Sequence, residues 1–407
     1  MNILLLGNAF PPTYMGGESS HLHCLAKGLR AKGHRVYVVH PMPTREDRIS
    51  LTLSNVETDL KVYRIGLPEG KDHENQLNIV FLDIWNRLRR EGVRIDLVHC
   101  HSNRFSSALG TLSKTQPTPL VSTVHAVHIA LVQEVIRRRG IALDPSEQAM
   151  HDADTARQSD LCALTHRIIA ISRAMGSYVA KFFGADDSRI RHVYNGVDFT
   201  TLSEFSEPHT LARIRRELDL EAKVVVLYSG RVEPIKGIVP LAEACKRLCG
   251  QFEEVAFLFL GNGSADPWLR SCLDKTRNVH FLNWLPFEAL IPYYHLADIA
   301  VTPSLIEPFG LVPLEAMACR TCVIASNADG LDEIVQDGLN GVKIPIEVDE
   351  YGDRRIRAED ICEAIGKAIR EPEWRRILAE RGIRRASEFT VDRMIQQTEQ
   401  VYLELLH

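Results

Sequence analysis

VTPSLIEPFGLVPLEAMACRTCVIAS, residues 301 to 326, changes character three times within one short run. Ala300, Val301 and the apolar residues before them predict a strand, which Pro303 and Ser304 close. Pro308-Phe309-Gly310 is a turn, Leu311 to Ala318 are good helix formers, and Val323-Ile324-Ala325 predicts the next strand. The result is a β-turn-α-β unit. Glu307 stands just before the turn and Glu315 lies inside the helix, eight positions on, so both could face one bound molecule. The first helical turn, at Gly310 and Leu311, offers backbone N–H groups at the positive end of the dipole, a place for phosphate or sugar oxygens. Two carboxylates beside such a place repel phosphate. They are better suited to accept hydrogen bonds from hydroxyls, as on a ribose and a sugar ring.

Further toward the N-terminus, Val224 to Tyr228 predicts a strand followed by SGRVEPIKG. Arg231 and Lys236 flank a turn that ends at Gly237. Two cations in a strand-to-helix loop would neutralise a diphosphate, Arg through a fork of donors and Lys as a point charge. Between the two runs, Phe257 to Leu260 and Val279 to Leu282 predict strands, ending in Gly261-Asn262-Gly263 and Asn283-Trp284-Leu285-Pro286. Leu285 could pack against a base, with Trp284 in the core. Phe287 to Leu296 predicts a helix and Ile299 to Thr302 the strand before the opening motif.

E-P-F-G-L-x-x-L-E-A, Glu307 to Ala316, resembles the E-x7-E signature of the retaining glycosyltransferases of family 4. G-R-x-x-x-x-K-G, from Gly230 to Gly237, matches the same family in full. The resemblance implies an α/β fold of the GT-B type, two Rossmann-like parallel-sheet domains facing each other across a deep cleft. Residues 1–200 would be the acceptor-binding domain, 201–388 the nucleotide-sugar-binding domain, and 389–407 a helix crossing back to the first. It further implies a nucleoside-diphosphate sugar donor, most simply a UDP-sugar, contacted at Gly230, Arg231, Lys236, Gly263, Leu285, Glu307, Phe309, Gly310, Leu311 and Glu315. Glu315 would hold the ribose hydroxyls and Glu307 those of the transferred sugar. Arg231 and Lys236 would stabilise the diphosphate leaving group. Asn327 to Leu331 reads as a loop where family members more often carry two glycines, with Glu333 on a short helix after it.

Asn2 to Leu6 predicts a fully apolar strand, ending in GNAFPPTYMGGESSHL, with a helix beginning near Glu18 and showing Leu22, Leu25, Ala26 and Leu29 on one face. A Gly-rich strand-to-helix loop admits a phosphate-bearing ligand, but this one is not G-x-G-x-x-G, so a nicotinamide dinucleotide is disfavoured. In the resembled family the glycine pair, here Gly16 and Gly17, touches the donor pyrophosphate. Residues 41 to 95 say less: a strand at Val62 to Ile65 and a helix at Val80 to Arg90. Asp96 to His101 and Leu120 to Val124 are strands whose ends carry His99, His101 and His125. His99 and His101 could ligate a metal, but no third histidine or carboxylate is spaced with them. The resemblance implies that His125 approaches the transferred sugar, with His128 in reserve. Ile168 to Ser172, a helix to Phe183, and Ile190 to Val193 lead into Asn195-Gly196-Val197-Asp198, another family match.

Forty-eight basic against 53 acidic residues give a net charge of -5, which argues against nucleic acid as a partner. The apolar start has no signal-peptide layout and no run of 18 apolar residues occurs, so a cytoplasmic protein is expected. Arg137 to Arg139 could serve an anionic acceptor or a membrane surface, but a solvated helix end is favoured. The nine cysteines are scattered, and Cys319-Arg320-Thr321-Cys322 joins a helix C-terminus to a strand, so reduced packing residues are expected. Asp152 and Asp154 have metal-motif spacing but fall in a helix, and two cations make a metal unnecessary; no cofactor is expected. The acceptor is expected to be a small cyclitol, aminocyclitol, sugar or sugar phosphate, with a lipid-linked or envelope glycan as alternative. A non-hydrolysing sugar-nucleotide epimerase is the alternative of another class.

Overall fold

The unbroken apolar run at Asn2–Leu6 (β1) folds as a strand covered on both faces, with Ile3 to Leu6 wholly buried. The computed structural model describes residues 1–12, 16–57, 59–69, 73–205 and 207–406. Its chain divides into one unit of Met1–Gly196 with Val391–His407 and a second of Val197–Thr390.

In the first unit Gly17–Ala31 (α1) lays Leu22, Leu25, Ala26 and Leu29 on the sheet. Arg35–Thr44 (β2), Ser50–Glu57 (β3), Leu60–Pro68 (β4), Glu74–Arg90 (α2) and Leu97–Cys100 (β5) follow. Then come Ser106–Thr115 (α3), Leu120–Val124 (β6), His128–Arg139 (α4), Pro145–Leu164 (α5), Arg167–Ala170 (β7), Arg173–Phe183 (α6) and Ile190–His192 (β8). Ser172 caps α6 by accepting the Met175 N–H at 3.1 Å. The sheet runs β3-β4-β2-β1-β5-β6-β7-β8, parallel except for β3 against β4. The sequence between 41 and 95 hid β3, because its short run of Ser, Thr and Leu lies at the sheet edge with Leu51 and Leu53 exposed.

The second unit opens with Phe199–Ser203 (α7) and Pro208–Glu217 (α8), then Val224–Ser229 (β9), Ile238–Gln251 (α9), Val255–Leu260 (β10) and Asp266–Leu273 (α10). Val279–Leu282 (β11), Phe287–Leu296 (α11), Ile299–Thr302 (β12), Leu311–Ala318 (α12) and Cys322–Ser326 (β13) follow. Asp329–Ile334 (α13), Val342–Ile344 (β14), the hairpin Glu347–Val348 (β15) with Arg354–Arg355 (β16), Ala358–Arg370 (α14) and Pro372–Ala386 (α15) complete it. The sheet order is β11-β10-β9-β12-β13-β14, all parallel. Val391–Leu406 (α16) belongs to the first unit. It lies so close on α1 that a Cβ at Gly28 would meet Ile395 Cδ1 at 2.0 Å, and Tyr402 reaches the sheet.

Two local expectations are corrected. Asn327 to Leu331 is not all loop, for α13 begins at Asp329. Gly330 is locked beneath the Pro308-Phe309 turn, where a Cβ would lie 2.4 Å from Phe309 Cα, and this forces the chain round at once. Trp284 is not core: it is 53% exposed in the loop after β11. All nine cysteines are free thiols.

Candidate active site

In an open parallel sheet, ligands bind beyond the strand C-termini where the connections diverge to opposite faces. In the second unit that point lies between β9 and β12. The loop after β9 carries Gly230, Arg231 and Lys236; the loop after β12 carries Ser304, Glu307, Phe309 and Gly310. These are the two motifs read from the sequence, and the strand order makes them neighbours. Lys236 Nζ lies 2.8 Å from Glu307 Oε2, which also accepts the Ser304 hydroxyl at 3.0 Å. Both side chains are about one-sixth exposed, so the pair is shielded without being sealed. Arg231 is exposed, its loop fixed by the Tyr228 hydroxyl, which donates to the Arg231 carbonyl at 2.5 Å.

Two glycines set this geometry. At Gly237 φ is +69°, and a Cβ would stand 1.8 Å from the Pro303 carbonyl oxygen, so the β9 and β12 loops touch only because no side chain intervenes. Gly310, at φ +121°, starts α12 with its Cα against Leu331 and Ile334. Pro313 at the third helical position has no N–H, which leaves the amides of Gly310, Leu311 and Val312 as the first-turn donors. Glu315, one turn in, accepts from the Tyr294 hydroxyl at 2.7 Å; burial raises its carboxyl above the usual range and the Tyr294 bond partly offsets this. Phe309 is buried and its ring packs edge-on against Phe389, so the side chain serves the core. Gly263 abuts the Val232 carbonyl with no room for a Cβ, and Leu285 is half-buried in the loop after β11.

Asp329 and Arg354 were not foreseen. The Asp329 carboxylate accepts the Glu307 N–H at 3.0 Å and takes the Arg354 guanidinium in a two-point pair at 2.9 and 3.0 Å. Arg354 also donates to the Leu305 carbonyl at 2.9 Å. The Asp329 side chain is 2% exposed, and its φ of +37° lies in the region that favours glycine. The hairpin β15–β16 thus braces the backbone on which Glu307 sits.

The first unit has its own switch point, between β1 and β5. There His101 Nδ1 and His125 Nε2 lie 3.0 Å apart, and His21 from α1 completes a cluster whose ring nitrogens fall within 4.8 Å of one another. The third histidine, absent from the local spacing of His99 and His101, comes from α1. It sits one turn before Leu25 on the apolar face, which was the available signal. Among the described residues this is the group that could hold a metal ion. His21 Nδ1 pairs with the Asn195 side-chain oxygen at 2.9 Å, and His99 lies between Tyr402 at 2.6 Å and Thr123 at 2.7 Å. Burial pushes all four imidazoles down, His21 to about 4, and neighbouring imidazoles add to the effect at His99, His101 and His125. They are neutral near pH 7. The His128 side chain lies outside the described residues, while Gly16 caps α1 and Gly17 begins it.

The model of the glycosyltransferase family 4 domain matches residues 15–201, and that of glycosyl transferases group 1 matches 212–385. The chain belongs to glycosyltransferase family 4. Its curated relatives include a glycogen synthase of Mycobacterium tuberculosis, 29% identical over 84% of this chain and 82% of that one. A D-inositol 3-phosphate glycosyltransferase of Thermobifida fusca is 29% identical over 78% of this chain and 71% of that one. Among solved structures, Anabaena HepE in complex with UDP-glucose superposes with a TM-score of 0.73 over the whole of both chains at 20% identity, a likeness of GT-B fold. The segment Asn327 to Leu331, where the resemblance leads one to expect two glycines, holds one, Gly330, with Asp329 beside it.

Proposed function

We propose that this chain is a retaining glycosyltransferase that moves a hexosyl or N-acetylhexosaminyl group from a nucleoside-diphosphate sugar to a hydroxyl of a small cyclitol, aminocyclitol or sugar-like acceptor. The observation that carries the reading is the Lys236–Glu307 pair at the β9/β12 switch point, beside the free amides of α12. Arg231, Lys236 and those amides meet the charge that grows on the departing diphosphate. Glu315 takes the ribose hydroxyls, Glu307 the hydroxyls of the transferred sugar, and His125 of the first unit contacts that sugar. Gly16 and Gly17 approach the pyrophosphate. A UDP-sugar is favoured because a protein of this fold crystallised with UDP-glucose.

In the transfer the bond from the anomeric carbon to the phosphate oxygen breaks as the acceptor oxygen attacks the same face. The acceptor proton passes to the leaving phosphate oxygen. Front-face attack is preferred to a covalent Glu307 intermediate, since one Glu307 oxygen already accepts from Lys236 and Ser304 and is a weakened nucleophile. The two cations supply the charge compensation that a metal would otherwise give. Nine free thiols suit a reducing, cytoplasmic setting, and no helix among the described residues is long and apolar enough to cross a membrane.

The test is acceptor-free hydrolysis of UDP-glucose, UDP-N-acetylglucosamine, GDP-mannose and ADP-glucose, followed by product chromatography. One donor should be preferred, and Lys236→Ala and Glu307→Gln should each slow its turnover about 10²–10³-fold, the range seen when one transition-state contact is removed. Turnover that survives both substitutions would place the chemistry elsewhere.

A further inference from the structure

The β1/β5 switch point opens into a pocket of about 260 Å³ whose described lining residues belong to the first unit. Asn8, Glu18, His101, His125, Asp154 and Gln158 supply polar groups to its wall. That volume lies below the roughly 300 Å³ at which sites for drug-sized ligands begin, and so suits a single small ring. Among the described residues lining it, two carry a formal charge, and both are acidic: Glu18 and Asp154. Among the described residues neither Lys nor Arg contributes to the wall, and the His101 and His125 imidazoles are neutral near pH 7. Arg157, one turn along α5 from Asp154, lies 3.5 Å from it but is engaged more closely by Glu74 at 2.7 Å.

The wall asks for donors. Glu18 receives the Asn8 N–H and the Asn8 side-chain amide at 3.1 and 3.2 Å, and burial raises its carboxyl above the usual range. Asp154 receives the Asn103 side-chain amide at 3.0 Å. His101 is 95% buried, and its Nε2 has no partner. A buried polar atom left unpaired is costly, and this one lies on a residue of the pocket wall. A phosphate, which only accepts hydrogen bonds and carries negative charge, would oppose both carboxylates; of the two, only Asp154 has a cation near it, Arg157 at 3.5 Å, and that one is shared with Glu74. A hydroxyl or an ammonium would satisfy them.

We propose that this pocket seats the acceptor and selects an unphosphorylated, hydroxyl-rich ring, an amine-bearing sugar or cyclitol being taken best. The proposal rests on the transferase reading above and narrows it: of the acceptors expected from the sequence, sugar phosphates are excluded. It also separates the chain from relatives named for inositol 3-phosphate.

Matched ligands test it on the full chain with UDP present: glucosamine, glucose and glucose 6-phosphate, then myo-inositol and its 3-phosphate. Dissociation constants come from ligand-observed NMR, and acceptor-free donor hydrolysis is measured on the same sample. Each unphosphorylated ring should bind at least tenfold more tightly than its phosphate. Glucosamine should exceed glucose severalfold, an advantage lost in Glu18→Gln. Gln158→Arg, which brings a cation to the wall, should strengthen glucose 6-phosphate at least threefold. A phosphate bound as well as its parent ring, or no member bound at all, overturns the proposal. Loss of donor hydrolysis would instead count against the transferase reading.

Discussion

Gly237 is where a single atom would do the most damage. Alanine there must hold a left-handed backbone and displace the Pro303 carbonyl from 1.8 Å. The backbone term alone is about 1–2 kcal/mol, and the displaced carbonyl begins the loop that carries Glu307. Gly237→Ala should lower the melting temperature by several degrees and donor hydrolysis at least tenfold; wild-type values for both would mean that the loops part without cost. The residues at this scale were unequally legible. Arg231, Lys236, Glu307 and Glu315 could be read because their spacing is fixed by strand-to-helix loops, which are local in sequence. His21 and Arg354 could not, since each acts on a residue brought near by the fold: Asn195 for one, Asp329 for the other. Trp284 was misread because an aromatic ring signals apolar area and says nothing of the side of a loop on which it lies.

The hairpin β15–β16 is an element that sequence could hardly disclose, with two residues in each strand and no run of alternation. Its function in the fold is to deliver Arg354 to a carboxylate that is 2% exposed. Breaking a buried pair from one side is worse than removing the buried charge, because the first leaves that charge unpaired, at about 3–5 kcal/mol. Arg354→Ala should therefore melt well below Asp329→Gly, which restores the residue suited to a φ of +37°. The double variant should regain most of the loss. Equal melting of the two single variants would show that Arg354 does not serve the Asp329 charge. Because Asp329 also holds the Glu307 N–H, Arg354→Ala should slow sugar transfer about tenfold while UDP binds within threefold of wild type. By contrast α12 and β12 were legible to the residue and β13 to within one residue at each end, since turn, helix and strand signals there agree.

For the whole molecule, the buried histidines set how stability responds to acid. His21 and His40 are held down to about 4 by burial, with His99, His101 and His125 lowered as well. Between about pH 6.5 and 4 the unfolded chain binds protons that the folded one refuses, so stability is full above that window and falls as pH drops through it. Each such proton contributes a slope of about 1.4 kcal/mol per pH unit. Glu315 has the opposite sign, its raised carboxyl favouring the fold as acid is added. The first unit should thus weaken first. Its single tryptophan, Trp85, is buried, so a variant with Trp268, Trp284 and Trp374 changed to Phe reports on it alone. The urea midpoint by Trp85 emission should fall steeply from pH 7 to 5; a flat profile would mean that the imidazoles charge without penalty. At this scale the parallel α/β architecture was legible from apolar strands alternating with helices, whereas the antiparallel edge strand β3 was not.

The first unit is interrupted in sequence by the whole of the second, and α16 supplies Tyr402 to its centre only afterwards. On the ribosome, at about 5–20 residues per second, the sheet built around β1 must wait on the order of tens of seconds for that helix to be made. Until then His99 lacks its phenol and the α1 surface that receives Ile395 stays uncovered. The second unit, by contrast, is contiguous and can close while synthesis continues. The first unit is therefore finished last, and a nascent chain would hold a completed second unit before the first could close.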